Sequence, residues 1–289
     1  MISVSSRASL LDAIAHAKRV RVTAYILRSK SKLVAALEGA AARGASVEVE
    51  LERAPYNDAK NELAQLNRST LRELRRHGVA ANLTRPGDAP LHLKAAFVDG
   101  QVFLDDRNWP NDGDDTIVTT RAPRELKSIE GALEGEPEPA GAELALHKGP
   151  ALELEARTID AAPAGATIRC ESETFGYSQV SSALKRRALQ GERVELLVTR
   201  KNPESSPAEA RALSTLQAAG VEVKLTRSDE KVALTGSAGW VGSANATWAS
   251  PEMLDWGARI RDPRALAVLE RRFDARWERA FTPNAAPTA

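Results

Sequence analysis

In the run Leu91-His92-Leu93-Lys94-Ala95-Ala96-Phe97-Val98-Asp99-Gly100, an imidazole and an ammonium stand two residues apart. Side chains of an extended chain alternate between faces, so His92 and Lys94 share a face and can meet one substrate. A bare His-x-Lys-x4-Asp string is a weak pattern, and taken alone a surface or capping role is an equal reading. A second group lies in Trp240-Val241-Gly242-Ser243-Ala244-Asn245. This small-residue turn after a strand could bring Asn245, the Ser243 hydroxyl and backbone amides toward an anion. Asp255 follows ten residues beyond Asn245.

The elements that position these residues occur twice. Gly44-Ala45-Ser46-Val47-Glu48-Val49-Glu50 matches Gly191-Glu192-Arg193-Val194-Glu195-Leu196-Leu197, each after an Ala-rich helical stretch that stops at glycine. Gly78-Val79 with Leu83-Thr84-Arg85 recurs as Gly220-Val221 with Leu225-Thr226-Arg227. Strand, tight turn and strand then run from Lys94 to Asn108 and from Lys231 to Asn245, with Asp99-Gly100 and Thr235-Gly236 as turns. Glu134-Gly135-Glu136-Pro137-Glu138-Pro139-Ala140-Gly141 is polar and rich in Pro and Gly, as a linker is. The expected organisation is an N-terminal lobe over 1–128, a linker over 129–144, a C-terminal lobe over 145–281 and a frayed tail over 282–289. Each lobe is expected to be α/β, a mixed sheet covered by helices.

Taken together, the motifs and the repeat resemble the phospholipase D superfamily, whose motif reads His-x-Lys-x4-Asp-x6-Gly-Ser-x-Asn. The motif usually appears once in each of two pseudo-symmetric lobes that share one active site at their interface. The resemblance spans nearly the whole chain, including the ending Leu269-Glu270-Arg271-Arg272-Phe273-Asp274-Ala275-Arg276-Trp277, which looks like the family's closing helix. It implies a two-step phosphoryl transfer without metal or other cofactor: one His attacks phosphorus, the opposing His protonates the leaving oxygen, and water hydrolyses the phosphohistidine. On that basis His92 is the nucleophile. Lys94 and Asn108, with Ser243 and Asn245, form the phosphate cradle, where fixed donors hold charge on the equatorial oxygens. Asp255 or Asp115 would accept the imidazole N–H and fix its tautomer. Asp99, beside a turn glycine, reads as structural.

Both half-motifs depart from the family pattern. In the first, Asp105-Asp106-Arg107-Asn108 replaces Gly-Ser-x-Asn, one residue short if Asn108 is the counterpart, with Arg107 as a substitute donor. In the second, counting back from Asn245 puts Ser228, Glu230 and Thr235 at the His, Lys and Asp positions. Counting from Lys231 as the partner of Lys94 puts Asp229 at the His position and needs a one-residue deletion. Neither count supplies a histidine. The remaining three, His16, His77 and His147, read as surface or capping residues. The missing acid would then be Asp229 or Glu230, provided that burial or a like charge raises its pKa toward neutrality.

Composition narrows the partners. Forty Lys and Arg against 39 Asp and Glu give a net charge of +1, so any polyanion site is local rather than global. Arg28, Lys30 and Lys32, and Arg68, Arg72, Arg75 and Arg76, are the basic clusters; the second has the spacing of a solvated helix face. No signal peptide or spanning segment is read, and the single Cys170 calls for no oxidising compartment. The expectation is a cytoplasmic, monomeric phosphodiesterase acting on nucleic acid rather than a phospholipid head group. A catalytically inactive phosphate- or protein-binding module, and phosphatidyl transfer at His92, are the alternatives.

Overall fold

The computed structural model describes residues 2–56, 58–111, 115–136, 143–201, 206–248 and 252–282. The chain divides into two compact units: Met1–Ala142 with Glu252–Trp256, and Glu143–Pro251 with Gly257–Ala289.

The first unit contains β1 (Ser3–Ser5), α1 (Arg7–His16), β2 (Arg19–Ala24), α2 (Lys32–Ala42), β3 (Ser46–Leu51), α3 (Glu62–Arg76), β4 (Ala80–Leu83), β5 (Ala95–Val98), β6 (Gln101–Asp105), β7 (Ile117–Thr120) and α4 (Pro123–Leu133). Its seven strands lie in the order β1-β7-β6-β5-β2-β3-β4. β2, β3 and β4 are parallel and connected through α2 and α3; the other pairings are antiparallel. Local chemistry sets these boundaries. The Ser31 hydroxyl accepts the Val34 N–H at the start of α2, and Gly44, at φ 89°, turns the chain into β3. In β3 the alternation buries Val47, Val49 and Leu51, which pack with Leu10, Val22, Leu37 and Leu74 in one core.

The second unit contains β8 (Leu144–Leu146), α5 (Lys148–Asp160), β9 (Ile168–Ser172), α6 (Gln179–Leu189), β10 (Val194–Thr199), α7 (Pro207–Ala218), β11 (Glu222–Thr226), β12 (Val232–Leu234), β13 (Gly239–Gly242), β14 (Trp256–Ile260) and α8 (Pro263–Arg279). Its sheet order, β11-β10-β9-β12-β13-β14-β8, is the first unit's order with each strand replaced by its repeat counterpart. The repeat therefore holds strand by strand and helix by helix.

Strand register makes the correspondence residue-specific. Ala96 faces Val22 and Phe103 in the first sheet as Ala233 faces Cys170 and Trp240 in the second. Lys94 and Lys231 thus hold the same place, one residue before β5 and β12. Asp229 therefore corresponds to His92, and Asn245 to Asn108 at the same fourteen-residue interval from the lysine. The alternative count, with Ser228, Glu230 and Thr235 at the motif positions, is corrected by this register. Both halves share the one-residue shortening. The expected match of Thr235-Gly236 to Asp99-Gly100 also shifts by one. Val98 pairs with Gln101 around Asp99-Gly100, and Thr235 hydrogen-bonds Ala238 around Gly236-Ser237, so both hairpins turn in two residues and Gly236 stands at the place of Asp99. Both adopt positive φ, 75° and 44°.

The expected domain limits are corrected at two points. Residues 129–133 belong to α4 and 144 begins β8, so the linker is shorter than 129–144, and its residues 137–142 lie outside those described. Glu252–Trp256, expected in the C-terminal lobe, groups with the first unit. The tail from 283 onward also lies outside the described residues. Among the described residues no helix is long and apolar enough to cross a membrane.

One buried carboxyl in the second unit has a measurable signature. Glu155 on α5 lies in the core beside Cys170, whose Sγ is 3.6 Å from Glu155 Oε1. Burial pushes the Glu155 carboxyl up to about 8, with a small opposing effect from the Cys170 hydrogen bond. The folded chain holds this proton more tightly than the unfolded chain. Its contribution is thus complete below the ordinary glutamate range and is lost as pH rises toward 8. Glu155→Gln should flatten the fall in melting temperature between about pH 5 and 8, a difference on the order of a few kcal/mol by linkage. Thermal unfolding of both proteins across that pH range measures it.

Candidate active site

His92 is held from both sides by backbone. Its N–H donates to the Leu254 carbonyl at 2.9 Å, and the Leu254 N–H donates to Pro90 at 2.9 Å, which lays the 252–256 segment along residues 90–92. That pairing delivers Asp255, whose Oδ1 lies 2.6 Å from His92 Nδ1. Asp255 is fully buried and His92 nearly so. A carboxylate on Nδ1 fixes the tautomer that leaves Nε2 as the nucleophilic nitrogen, and it stabilises positive charge developing on the ring.

Lys94 is buried too, and both side chains border Tyr25, a residue that sequence reasoning missed. The Tyr25 and His92 rings meet edge to face with centroids 4.8 Å apart, and Lys94 Nζ lies 5.7 Å from the Tyr25 centroid. Two further residues that were missed hold this wall. Asn67 Nδ2 donates to the carbonyls of Tyr25 at 2.8 Å and Glu52 at 3.0 Å, while its Oδ1 accepts the Leu27 N–H at 3.2 Å. Glu52 accepts the Leu91 N–H at 2.7 Å, just before the catalytic histidine candidate. Asn67 and Thr70, on a helix that otherwise turns Ala64, Leu71 and Leu74 toward the core, were the available signal: buried polar positions on an apolar face.

The other candidates of the first unit are spread about this centre. Asp99 Oδ1 and Oδ2 accept the N–H groups of Lys18 and Arg19 at 2.8–3.2 Å. These bonds hold its carboxyl below the usual range and identify it as a turn anchor. Asp105, which replaces the motif glycine, is buried and accepts the Trp109 N–H at 2.6 Å. Burial first, and then the charge of Asp115, push its carboxyl up to about 8. Asp106 Oδ1 accepts the Thr116 N–H at 2.9 Å; Arg107 is half-buried and Asn108 exposed. Asp115 is ion-paired with Arg7. By the register of β7 and β14, Asp115 and Asp255 are one position in the two repeats, and the one that meets His92 is Asp255.

In the second unit the counterpart half-site is acidic. Asp229 stands at the histidine's place, and its carbonyl accepts Lys231 Nζ at 2.9 Å. Lys231 also pairs with Glu173 at 3.2 Å. Glu230 is committed to Arg276 at 3.0 Å, and the same guanidinium binds Glu171 at 2.7 Å. Burial, only partly offset by Arg276, pushes Glu171 up to about 7. Ser243 is buried, and Asn245 Oδ1 accepts the Thr174 N–H at 3.4 Å. His16 and His77 are exposed on helix ends, and His147 caps α5 with φ 63°. His77 lies 3.3 Å from Glu38 and near Glu73 in an open ion-pair cluster. On α3, Arg75 bonds the Ala81 carbonyl and Arg76 pairs with Glu73, as residues of a solvated face do.

One family model, described as cardiolipin synthase, PLD-like domain, matches residues 10–109 and 157–277. Among solved structures, the chain is similar to a polyphosphate kinase from Porphyromonas gingivalis, with TM-score 0.64, 17% identity, 93% of this chain and 44% of that chain. It thus spans less than half the length of that relative. A phosphatidylserine synthase from Haemophilus influenzae Rd KW20 aligns with TM-score 0.64, 14% identity, 94% of this chain and 85% of that chain. At these identities the likeness shows the fold. No curated protein matches the chain.

Proposed function

We propose, from the premise that the chain belongs to the phospholipase D superfamily, that it is a phosphodiesterase working through a phosphohistidine at His92. The observation that carries this reading is the buried His92–Asp255 pair at 2.6 Å, with Lys94 beside it against Tyr25. His92 Nε2 attacks phosphorus and the bond to the leaving oxygen breaks. The ring's Nδ1–H stays on Asp255, and Lys94 offsets charge on the equatorial oxygens. The leaving oxygen takes a proton from a carboxylic acid, a role we assign to Asp229 from its equivalence in register to His92. Water then attacks the phosphohistidine, the P–N bond breaks, and the proton lost by water returns to Asp229. Neither step draws on a metal ion.

A carboxylic acid in place of a second imidazole makes the leaving group decisive. Aryl phosphodiesters need little protonation, whereas alkoxide leaving groups of nucleic acids need more. The substrate class we favour is nucleic acid. No stretch of the sequence has a defensible membrane-seeking pattern, and the short connections leave few apolar loops of the kind that surround lipid-directed sites. The acidic second half-site favours one other reading, an inactive phosphate-binding descendant.

The test is a panel of bis-p-nitrophenyl phosphate, DNA, RNA and phospholipid, with and without EDTA, using the wild type, His92→Ala and Asp229→Asn. Turnover of the aryl diester and of nucleic acid, insensitive to EDTA and lost in His92→Ala, is the expected result. Asp229→Asn should slow nucleic-acid cleavage more than aryl-diester cleavage. Silence of the wild type on all four substrates would decide for the inactive reading.

A further inference from the structure

Two large aromatic side chains of the second unit are exposed beside hydrogen-bonded residues. Tyr177 is 61% and Trp248 58% exposed. They sit on adjacent loops. Phe175 and Ala246 form a parallel bridge, the Gly176 N–H donates to Ala246 at 2.9 Å, and the Ser178 hydroxyl reaches the same carbonyl at 3.4 Å. Gly176 lies against Thr247, so a side chain there would touch it at 3.5 Å. Tyr177 and Trp248 are the next residues along this paired stretch. The base of the pairing is rigid: Glu209 accepts the Phe175 N–H at 2.6 Å, and Lys148 Nζ donates to Thr247 at 2.9 Å. The Asn245 amide, fixed by Thr174, lies three residues before Trp248.

The surroundings are cationic on one side. The Tyr177 hydroxyl lies 3.4 Å from the Thr215 hydroxyl on α7, and Arg211 precedes Thr215 by one helical turn on the same exposed face. Lys185 on α6 lines the shallow surface depression that includes Thr215 and Ser214. Among the described residues no carboxylate pairs with Arg211 or Lys185. Of the nearby acids, Glu209 is turned inward onto Phe175 and Glu173 is paired with Lys231.

We infer that Tyr177 and Trp248 form a stacking platform for the bases of a single-stranded nucleic acid, with Arg211 and Lys185 following its phosphates. Exposed aromatic faces combined with nearby cations and a fixed side-chain amide suit a chain of planar bases joined by anions. The flanking depression is mixed, with Lys185, Ser214 and Thr215 beside Leu189, Ala218 and Ala219, and it is the cations Lys185 and Arg211 next to the aromatic rings that favour a chain of bases joined by anions. The inference rests on the nucleic-acid reading of the proposed function and extends it to a substrate subsite.

The test uses full-length His92→Ala protein, so that the oligonucleotide survives, and a fluorescein-labelled oligo(dT) of about ten nucleotides. Tyr177→Ala and Trp248→Ala in that background should each weaken binding about 5- to 50-fold by anisotropy. Arg211→Ala should lower the salt dependence of binding by about one unit of slope. Oligo(dT) should quench intrinsic fluorescence strongly in the parent and weakly in Trp248→Phe, because Trp109, Trp240 and Trp256 are buried and half-buried Trp277 is stacked on Phe273 with Lys224 Nζ 4.3 Å from its ring. Melting curves confirm that each variant is folded. Unchanged affinity in the Tyr177→Ala Trp248→Ala double variant, or no oligonucleotide binding by the parent, overturns the platform. So does a loss confined to phosphatidylglycerol vesicles. Wild-type turnover of bis-p-nitrophenyl phosphate is scored separately: turnover with unchanged oligonucleotide affinity removes the platform alone, and absent turnover with weakened affinity removes the enzymatic reading alone.

Discussion

Replacing His92 with alanine should reduce hydrolysis of bis-p-nitrophenyl phosphate by about 10⁴-fold or more, the scale on which removal of a covalent nucleophile is felt. The loss should lie in kcat, because Lys94 and the surrounding donors still bind the phosphate. The same substitution should abolish a phosphoenzyme trapped by rapid quench. That species should be labile in acid and stable in alkali, as a P–N bond is and a phosphoserine or acyl phosphate is not. Retention of more than about a tenth of the wild-type rate in His92→Ala would place the chemistry elsewhere.

Asp255→Asn should have the second-largest effect, on the order of 10²- to 10⁴-fold in kcat, with little change in KM. The amide can still accept from Nδ1, so the ring stays near its place 2.6 Å away. What is lost is the negative charge that favours the protonated, positively charged ring while phosphorus is attached to Nε2. Asparagine also permits the opposite orientation, donating to Nδ1 and presenting the wrong tautomer. A readout specific to this role is the pH–rate profile: its acidic limb should move in Asp255→Asn, because the ring loses the partner that favours its charged form. A merely structural role for Asp255 would lower the melting temperature and leave the profile in place.

Much of the architecture was legible because the chain carries it twice. Helix, glycine stop and strand recur with the same residue types, and the two sheets follow the same strand order. Legibility failed where both copies depart alike from the family spacing, one residue short between lysine and asparagine. Counting back from Asn245 by the full family spacing therefore misses Lys231 by one, and only the pairing of β12 with β9 and β13 fixes Lys231 at the place of Lys94. α4 runs past the expected boundary, across Gly131, because Ile129 and Ala132 are buried on one face before Gly135, at φ 78°, ends the run.

The site was legible to a different depth. Alternation alone put His92 and Lys94 together, whereas Asp255 and Asp115 were indistinguishable as partners because they occupy one position in two repeats. The choice is made by a backbone pairing between residues 163 apart in the chain. Tyr25, Glu52 and Asn67 carry no motif. Glu52 and Asn67 act by hydrogen bonds to main-chain groups of remote segments and Tyr25 by ring contacts with His92 and Lys94, which depend on how the segments pack and leave no fixed spacing in the sequence.

The lodging of Glu252–Trp256 on residues 90–92 bears on how this protein could be divided. A fragment ending in the linker would contain His92 and Lys94 and lack the carboxylate that orients the ring, as well as the Trp256 indole N–H that binds the Asp105 carbonyl at 3.1 Å. The proposed nucleophile and the group that orients it come from different repeats, 163 residues apart, so on that proposal neither half of the duplicated chain holds a complete site.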